Sequence, residues 1–464
     1  MTKKKHPTRR HLLAGAAAWT GGFAAIGQSR HKRPNILVAI ADDHSYDHTG
    51  AAGCRAVSTP HFDRIAGTGV RFTHSFCSSP SCTPSRGAIL TGQPFWRLEE
   101  GGNLWSSLPG KFAVYPNLLE AAGYHIGLKG KGWGPGNFQA GGYARNPAGP
   151  AYETFASFLQ ARPKDKPFCF WFGSTDPHRP YDRGSGRKAG LRLDDIEVPA
   201  WLPDSPVVRE DIADYLLEVQ RFDRDVGDLI AAVEKAGELE NTMIVVTSDN
   251  GMPFPRAKTN LYDSGTRMPM AISWPAAVPG GRTVDDFISH TDLAPTFLQA
   301  AGAEVPGSIT GRSLLPLLQS KSSGQVDRER DRVFSGRERH TQMRAGGVGY
   351  PMRAVRTKDF LYIRNYEPDR WPSGDPPHFG DIDNGPSKEF TLQHSNSPEH
   401  AKHYQLACAK RPAEELYDLR SDAAQQVNVA TDQRHAEERG ELSKMLHQHL
   451  ERTRDPRVTG ERVI

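Results

Sequence analysis

Apolar positions along this chain follow two rhythms. Ile36–Ala41, the stretch "PFCFWFG" at 167–173 and Met243–Thr247 are nearly continuous apolar runs, the pattern of strands buried on both faces of a parallel sheet. Between the last two, Ile212, Tyr215, Leu216, Val219, Phe222, Val226, Leu229, Ile230 and Val233 recur at helical spacing until Gly237 stops the helix. Further helical patterns cover Pro60–Thr68, Ala88–Thr91 and a segment ending at Gly123, which leads into a short strand. Strands alternating with helices predict an α/β sandwich built on a mostly parallel sheet. Past residue 345 the texture changes. "YPMRAVRTKDFLYIRNY" reads as a hairpin turning at Thr357–Asp359, residues 367–400 are rich in Pro, Gly, Asp and Ser, and an amphipathic helix covers about 435–452. The spacing therefore predicts a main domain over 31–345 and a smaller α+β domain with an antiparallel sheet over 346–464.

Composition narrows the function classes. Hydrophobic residues make up 37% of the 464 and charged residues 24%, as in a globular protein with a sizeable core. The net charge is +4, and Lys3, Lys4, Lys5, Arg9 and Arg10 hold much of the excess. The body is near neutral and carries no basic stripe, so nucleic acid is not an expected partner. Arg9-Arg10 directly precede an apolar run, Leu12–Ile26, that is too short to span a bilayer. Residues 1–30 thus read as a twin-arginine-type signal peptide, which makes the export machinery a partner and the periplasm or the exterior the destination, with no stable membrane insertion. The five cysteines, Cys54, Cys77, Cys82, Cys169 and Cys408, cannot all pair and show no C-x-x-C spacing for zinc.

Candidate chemistry clusters at strand ends, where open α/β sheets gather ligands. Asp42-Asp43, Asp176-Pro177-His178 and Asp249-Asn250 each follow a strand pattern. Asp42, Asp43, Asp249 and Asn250 offer hard oxygen ligands, suited to Ca²⁺ or Mg²⁺, and to Ca²⁺ if a protein cage supplies most of the shell. Either acidic pair alone also suits a cap for the following turn. Arg86, Lys131, His178, Lys258 and His290 are candidate cationic partners that, with a divalent metal, would hold a tetrahedral anion.

The stretch "CTPSRGAILTG" (82–92) resembles the signature of the formylglycine-dependent sulfatases. The segments "PNILVAIADD", "GYHIGLKGKG", "DPH", "TSDNG" and "KTNLYDSGTRMP" occur in that family's order, with "ELYDL" near the C-terminus. "TSDNGMPFPRAKTNLY" and "GYPMRAV" are similar to the heparan N-sulfatase (sulfamidase) branch. The resemblance implies an alkaline-phosphatase-like sandwich and hydrolysis of a sulfate ester or sulfamate on a sulfated sugar. It implies that a formylglycine-generating enzyme oxidises Cys82 to formylglycine (3-oxoalanine), whose hydrate is the nucleophile. A helix starting after Pro84 would aim its N–H groups at the sulfate. By the same resemblance, Arg86 holds the hydrate, and Asp42, Asp43, Asp249, Asn250 and the oxidised Cys82 bind one Ca²⁺. Lys131 and Lys258 bind sulfate oxygens, His178 protonates the leaving group or contacts the sulfate, and Asp249 serves also as a base.

One departure stands out. The family carries K-x-H after the strand that "GYHIGLKGKG" contains, and here "KGW" puts Trp133 in the histidine's place. His44, His125 and His290 are the candidates to replace it, with core packing the stronger expectation for His125. Trp133 is expected either to stack on a sugar ring or to pack in the core. A phosphate or phosphonate monoester hydrolase and an inactive carbohydrate-binding relative are the competing readings.

Overall fold

The run "NILVAIA" shows why its strand lies at the centre. In β1 (Asn35–Ala41), Ile36, Val38 and Ile40 point into one apolar cluster, and Leu37, Ala39 and Ala41 into another on the opposite face. A strand apolar on both faces has to be covered on both, and fully burying each aliphatic side chain stabilises by about 1.5–3 kcal/mol. The helices Cys82–Thr91, Tyr115–Ala121 and Leu293–Ala300 cover the first face. Pro60–Thr68 and the second half of the long helix Pro206–Lys235 cover the other. The computed structural model describes residues 1–2 and 33–460, so the expected signal peptide falls, past its first two residues, outside the described residues.

The main sheet adds β2 (Val70–Phe76), β3 (His125–Gly130), β4 (Phe168–Gly173), β5 (Thr242–Ser248), β6 (Met270–Ser273) and β7 (Arg282–Ser289). Their order is β3-β4-β1-β5-β6-β2-β7, parallel throughout except where β6 runs against β5 and β2. The mixed, mostly parallel sheet predicted from the apolar runs is present.

The second sheet is antiparallel, in the order β11-β10-β9-β8. Its strands are β8 (Arg332–Arg337), β9 (Met352–Thr357), β10 (Phe360–Asn365) and β11 (Glu414–Asp418). The hairpin turns where the sequence predicts, and the last long helix, Ala436–Arg452, packs Leu442, Leu446 and Leu450 with Val355 and Tyr362. The expected division at 345/346 differs from the sheet itself, because β8 already belongs to it and pairs with β9. Residues 33–460 form one compact unit.

Buried arginines tie the second sheet to the segment between β5 and β6. Arg356 on β9 makes a two-pronged bond to Asp263, with Nε 2.8 Å from Oδ1 and Nη2 2.8 Å from Oδ2. Arg337 on β8 donates to the Thr259 carbonyl at 2.5 Å, next to Lys258. Burial works to raise the Asp263 pKa, but Arg356, helped by Arg267 and a hydrogen bond from Gln425, holds the carboxyl at about 2, below its ordinary 3.8. A carboxyl depressed on folding contributes stability that is present above its unfolded pKa and is lost as pH falls through the folded one. Asp263→Asn is therefore predicted to lower stability by about 2 kcal/mol at neutral pH. In denaturant titrations at a series of pH values, the gap to wild type should close between about pH 4 and pH 2; a gap independent of pH would contradict this.

Candidate active site

Four neighbouring strands, β3-β4-β1-β5, run parallel and stop together. Ala41 pairs with Ser248, Ile40 with Gly173, and Gly130 with Gly173. The residues that follow, Lys131, the 174–178 turn, Asp42-Asp43 and Asp249-Asn250, consequently leave the sheet in one row. Close approach here requires glycine. Gly130 has φ +76°, and a Cβ at Gly173 would lie 1.8 Å from the Lys131 carbonyl oxygen. Asp43 also adopts a left-handed backbone (φ 75°), which Asp tolerates better than most residues. Its N–H donates to Asp249 Oδ1 at 3.1 Å.

Into this row points the helix Cys82–Thr91, buried along its whole length. It starts at Cys82 itself, three residues before the start expected after Pro84, and so takes Pro84 into its first turn, where a missing N–H is harmless. Cys82 Sγ lies 3.4 Å from Asp42 Oδ1 and 3.9 Å from Asp43 Oδ1. Ser85 Oγ donates to the Asp249 carbonyl at 2.5 Å. Arg86, fully buried, donates from Nε to Asp249 Oδ2 (2.7 Å) and from Nη1 to the Lys131 carbonyl (2.6 Å). Its Nη2 has no hydrogen-bond partner and sits 3.8 Å from Asp42 Oδ1.

Two lysines and a histidine complete the ring. Lys131 Nζ reaches both oxygens of Asp42 (2.8 and 2.6 Å), and Lys258 Nζ reaches Asp43 Oδ2 (2.7 Å). His178 directs Nδ1 to the Arg179 carbonyl (2.5 Å), and its Nε2 is 3.8 Å from Asp43 Oδ2. It is the most open of these groups, with a third of its side chain exposed.

The electrostatics are lopsided. Asp42, Asp43, Asp249 and Asp383 set four carboxylates against the fixed charges of Arg86, Lys131 and Lys258. Burial works to raise the Asp42 pKa, but Lys131 and Arg86 outweigh it and hold the group ionised. For Asp43, burial wins over Lys258 and His178, and its carboxyl is pushed up to about 6. Burial, with Asp42 and Asp249 nearby, also pushes the Cys82 thiol well above its usual range, so the unmodified thiol is a poor nucleophile. A hard divalent cation fits this donor set. Ligand atoms of Asp42, Asp43, Cys82 and Asp249 lie within 4.8 Å of one another, and buried Asn250 Oδ1 lacks a hydrogen-bond partner.

Two expected substrate contacts are corrected. Trp133 is 3% exposed, and its ring packs in the core against Gly87 and Gly136, which leaves no face for a sugar. His290 is fully buried, with Nε2 3.2 Å from Ser75 Oγ and 3.3 Å from Thr247 Oγ1. Burial pushes it down to about 3, so it is a neutral core residue. His44 is buried with Nε2 on the His48 carbonyl, and His125 stacks on Phe158. None of the three has a hydrogen bond or ion pair with the Cys82 cluster. Two residues that the sequence reading passes over do reach it. Asp383 lies 3.3 Å from Lys258 Nζ, and buried His340 places Nδ1 2.8 Å from the Oγ of Ser81, the residue before Cys82. Both come from loops of the C-terminal part, where no periodicity flags them.

The family model described as "Sulfatase" matches residues 34–303, and one described as "N-sulphoglucosamine sulphohydrolase, C-terminal" matches residues 256–377. Human N-sulphoglucosamine sulphohydrolase is 30% identical over 493 residues, covering 93% of both chains. An N-acetylglucosamine-6-O-sulfatase from Bacteroides thetaiotaomicron is 27% identical, covering 78% of this chain and 84% of its own. Among solved structures, one in complex with its substrate D-glucosamine-2-N,6-O-disulfate superposes with a TM-score of 0.64 at 22% identity, covering 91% of this chain and 99% of that one. A phosphonate monoester hydrolase from Silicibacter pomeroyi gives 0.68 at 18% identity, covering 91% and 96%.

Arg86 is the charged partner of Asp249, and both side chains are fully buried. Arg86→Ala is predicted to cost about 3–5 kcal/mol, the loss typical of a broken buried pair. Denaturant unfolding in the presence of a chelator measures it, and a loss below about 1 kcal/mol would contradict the account.

Proposed function

The chain belongs to the sulfatase family, and from that premise we propose that it removes sulfate from a sulfated amino sugar by cleaving an S–O or S–N bond. Cys82 oxidised to formylglycine and one Ca²⁺ are the working groups. The observation that carries this reading is the row of strand ends, which sets Asp42, Asp43, Asp249 and Asn250 beside Cys82 with a lysine on either side. The names of the two relatives, both glucosamine sulfatases, support the substrate class. Export by a signal peptide over 1–30, to the periplasm or beyond, belongs to the same proposal.

Cys82 in its oxidised form supplies a nucleophilic oxygen, and Ca²⁺ held by Asp42, Asp43, Asp249 and Asn250 supplies positive charge for the sulfate. The rest follows from this chain's own side chains. Arg86 fixes Asp249 through Nε and keeps Nη2 free for the residue-82 side chain. Lys131 and Lys258, each within 2.8 Å of a cluster carboxylate, are placed to turn toward sulfate oxygens as negative charge develops. His178, with Nδ1 tied to the Arg179 carbonyl, presents Nε2 toward the departing amine or alcohol and gives it a proton. No histidine occupies the Trp133 position, and buried His340 is bonded to Ser81, the residue before Cys82. With Trp133 in the core, the motive for a non-catalytic sugar-binding relative falls away.

Two measurements test the proposal. Intact-mass analysis of enzyme from a host that carries the modifying system should show an aldehyde in place of the Cys82 thiol. Cys82→Ser should fold and yet lose roughly a thousandfold or more in sulfate release from a panel of N- and O-sulfated glucosamines. An unmodified thiol in active enzyme, or a Cys82→Ser variant of comparable activity, would contradict it.

A further inference from the structure

We propose that Trp105, on a loop tied through its pairings to both neighbours of Cys82, is a stacking platform for a second sugar ring, so that the preferred substrate is a sulfated oligosaccharide rather than a single sugar. This rests on the sulfated-sugar reading above. Trp105 is 67% exposed, whereas Trp96, Trp133, Trp171, Trp201 and Trp274 are all below 10%. A lone exposed aromatic needs no explanation by itself. Its backbone does, because φ is 55°, a left-handed conformation that is an outlier for so bulky a residue. The strain is held in place from both sides. Leu104 N–H donates to the Arg339 carbonyl at 3.2 Å, and Asn103 Oδ1 accepts from the Arg339 N–H at 2.9 Å. On the other side, the Ser106 carbonyl accepts from Asn137 N–H at 2.8 Å, and Ser106 bridges Gly136.

Those anchors lead straight to the nucleophile. Arg339 precedes His340, whose Nδ1 meets Ser81 Oγ at 2.8 Å. Gly136 follows Pro135, whose carbonyl accepts from Thr83 Oγ1 at 2.5 Å. Ser81 and Thr83 flank Cys82, so the loop that thrusts the indole outward is pinned to both neighbours of the reactive residue. Followed along backbone and pairings, the path from Cys82 to Trp105 is at most about 25 Å. A short oligosaccharide with its sulfated unit at Cys82 spans that distance. The apolar face of a pyranose stacks on an indole while its hydroxyls stay in water. Arg339, on the same loop pairing, is partly buried with no acidic partner among the described residues, and it is the cation placed to meet a second sulfate.

The test compares Trp105→Ala and Trp105→Phe with wild type on three substrates: an N-sulfated heparin-type tetrasaccharide, N-sulfated glucosamine and 4-nitrocatechol sulfate. The expected result for Trp105→Ala is a KM about tenfold higher on the tetrasaccharide with kcat unchanged. Trp105→Phe should recover most of the loss, and neither variant should change on the two small substrates. An unchanged KM on the tetrasaccharide overturns the platform, as does an equal loss on 4-nitrocatechol sulfate, which would mark a structural role. Binding of the tetrasaccharide to the Cys82→Ser protein separates the two readings. Binding that Trp105→Ala weakens, in an enzyme that turns over only 4-nitrocatechol sulfate, keeps the platform and removes the sugar-hydrolase reading. Binding that is absent, or indifferent to Trp105, overturns the platform.

Discussion

Buried like charge is the constraint on which the rest depends. Asp42, Asp43 and Asp249 are all less than 3% exposed and lie close enough for their ligand atoms to converge with Cys82. Such a cluster is tolerable only with cations built around it, because an unpaired charge in a low-dielectric interior costs several kcal/mol. Arg86 answers Asp249, Lys131 answers Asp42 and Lys258 answers Asp43, yet Asp383 restores the negative excess and the Asp43 carboxyl is pushed up to about 6 by burial. The folded chain therefore holds a standing demand for one more positive charge, at the place where an anionic group must be bound and attacked.

The two sheets divide that task. The parallel strands of the main sheet deliver the acids, Lys131 and the 174–178 turn in register, so their relative positions are set by backbone hydrogen bonds. The antiparallel sheet and its loops contribute from the other side. Arg337 holds the Thr259 carbonyl beside Lys258, His340 contacts Ser81, and Asp383 faces Lys258. A centre built this way keeps its charged core rigid while its outer edge comes from loops, which vary more easily with substrate.

How much of this could be read in the residues depends on the strength of each local signal. β1, β4 and β5 are apolar on both faces and leave no alternative to burial, and the acids after them are legible because parallel sheets place ligands at those ends. β2 ("VRFTHSF") mixes polar residues with an irregular register, and β6 is four residues long, so neither presents a clean period. β8 escapes for a similar reason, and with it the true edge of the second sheet. Trp133 and His290 are misread because an isolated aromatic or histidine carries no sign of whether it points inward. Trp105, Asp383 and His340 sit in loops, where position is decided by tertiary pairing rather than by pattern.

The central claim, that a buried excess of carboxylate charge is completed by one divalent cation, is tested most directly by Ca²⁺ titration. Thermal unfolding of metal-free protein should be followed with and without the ion, in wild type and in Asp249→Asn. The account predicts binding of one Ca²⁺ per chain and a stabilisation of wild type of about 2.7 kcal/mol at a hundredfold excess over Kd. It predicts no comparable effect in Asp249→Asn. A wild-type protein whose unfolding is indifferent to Ca²⁺ and Mg²⁺ alike would contradict it.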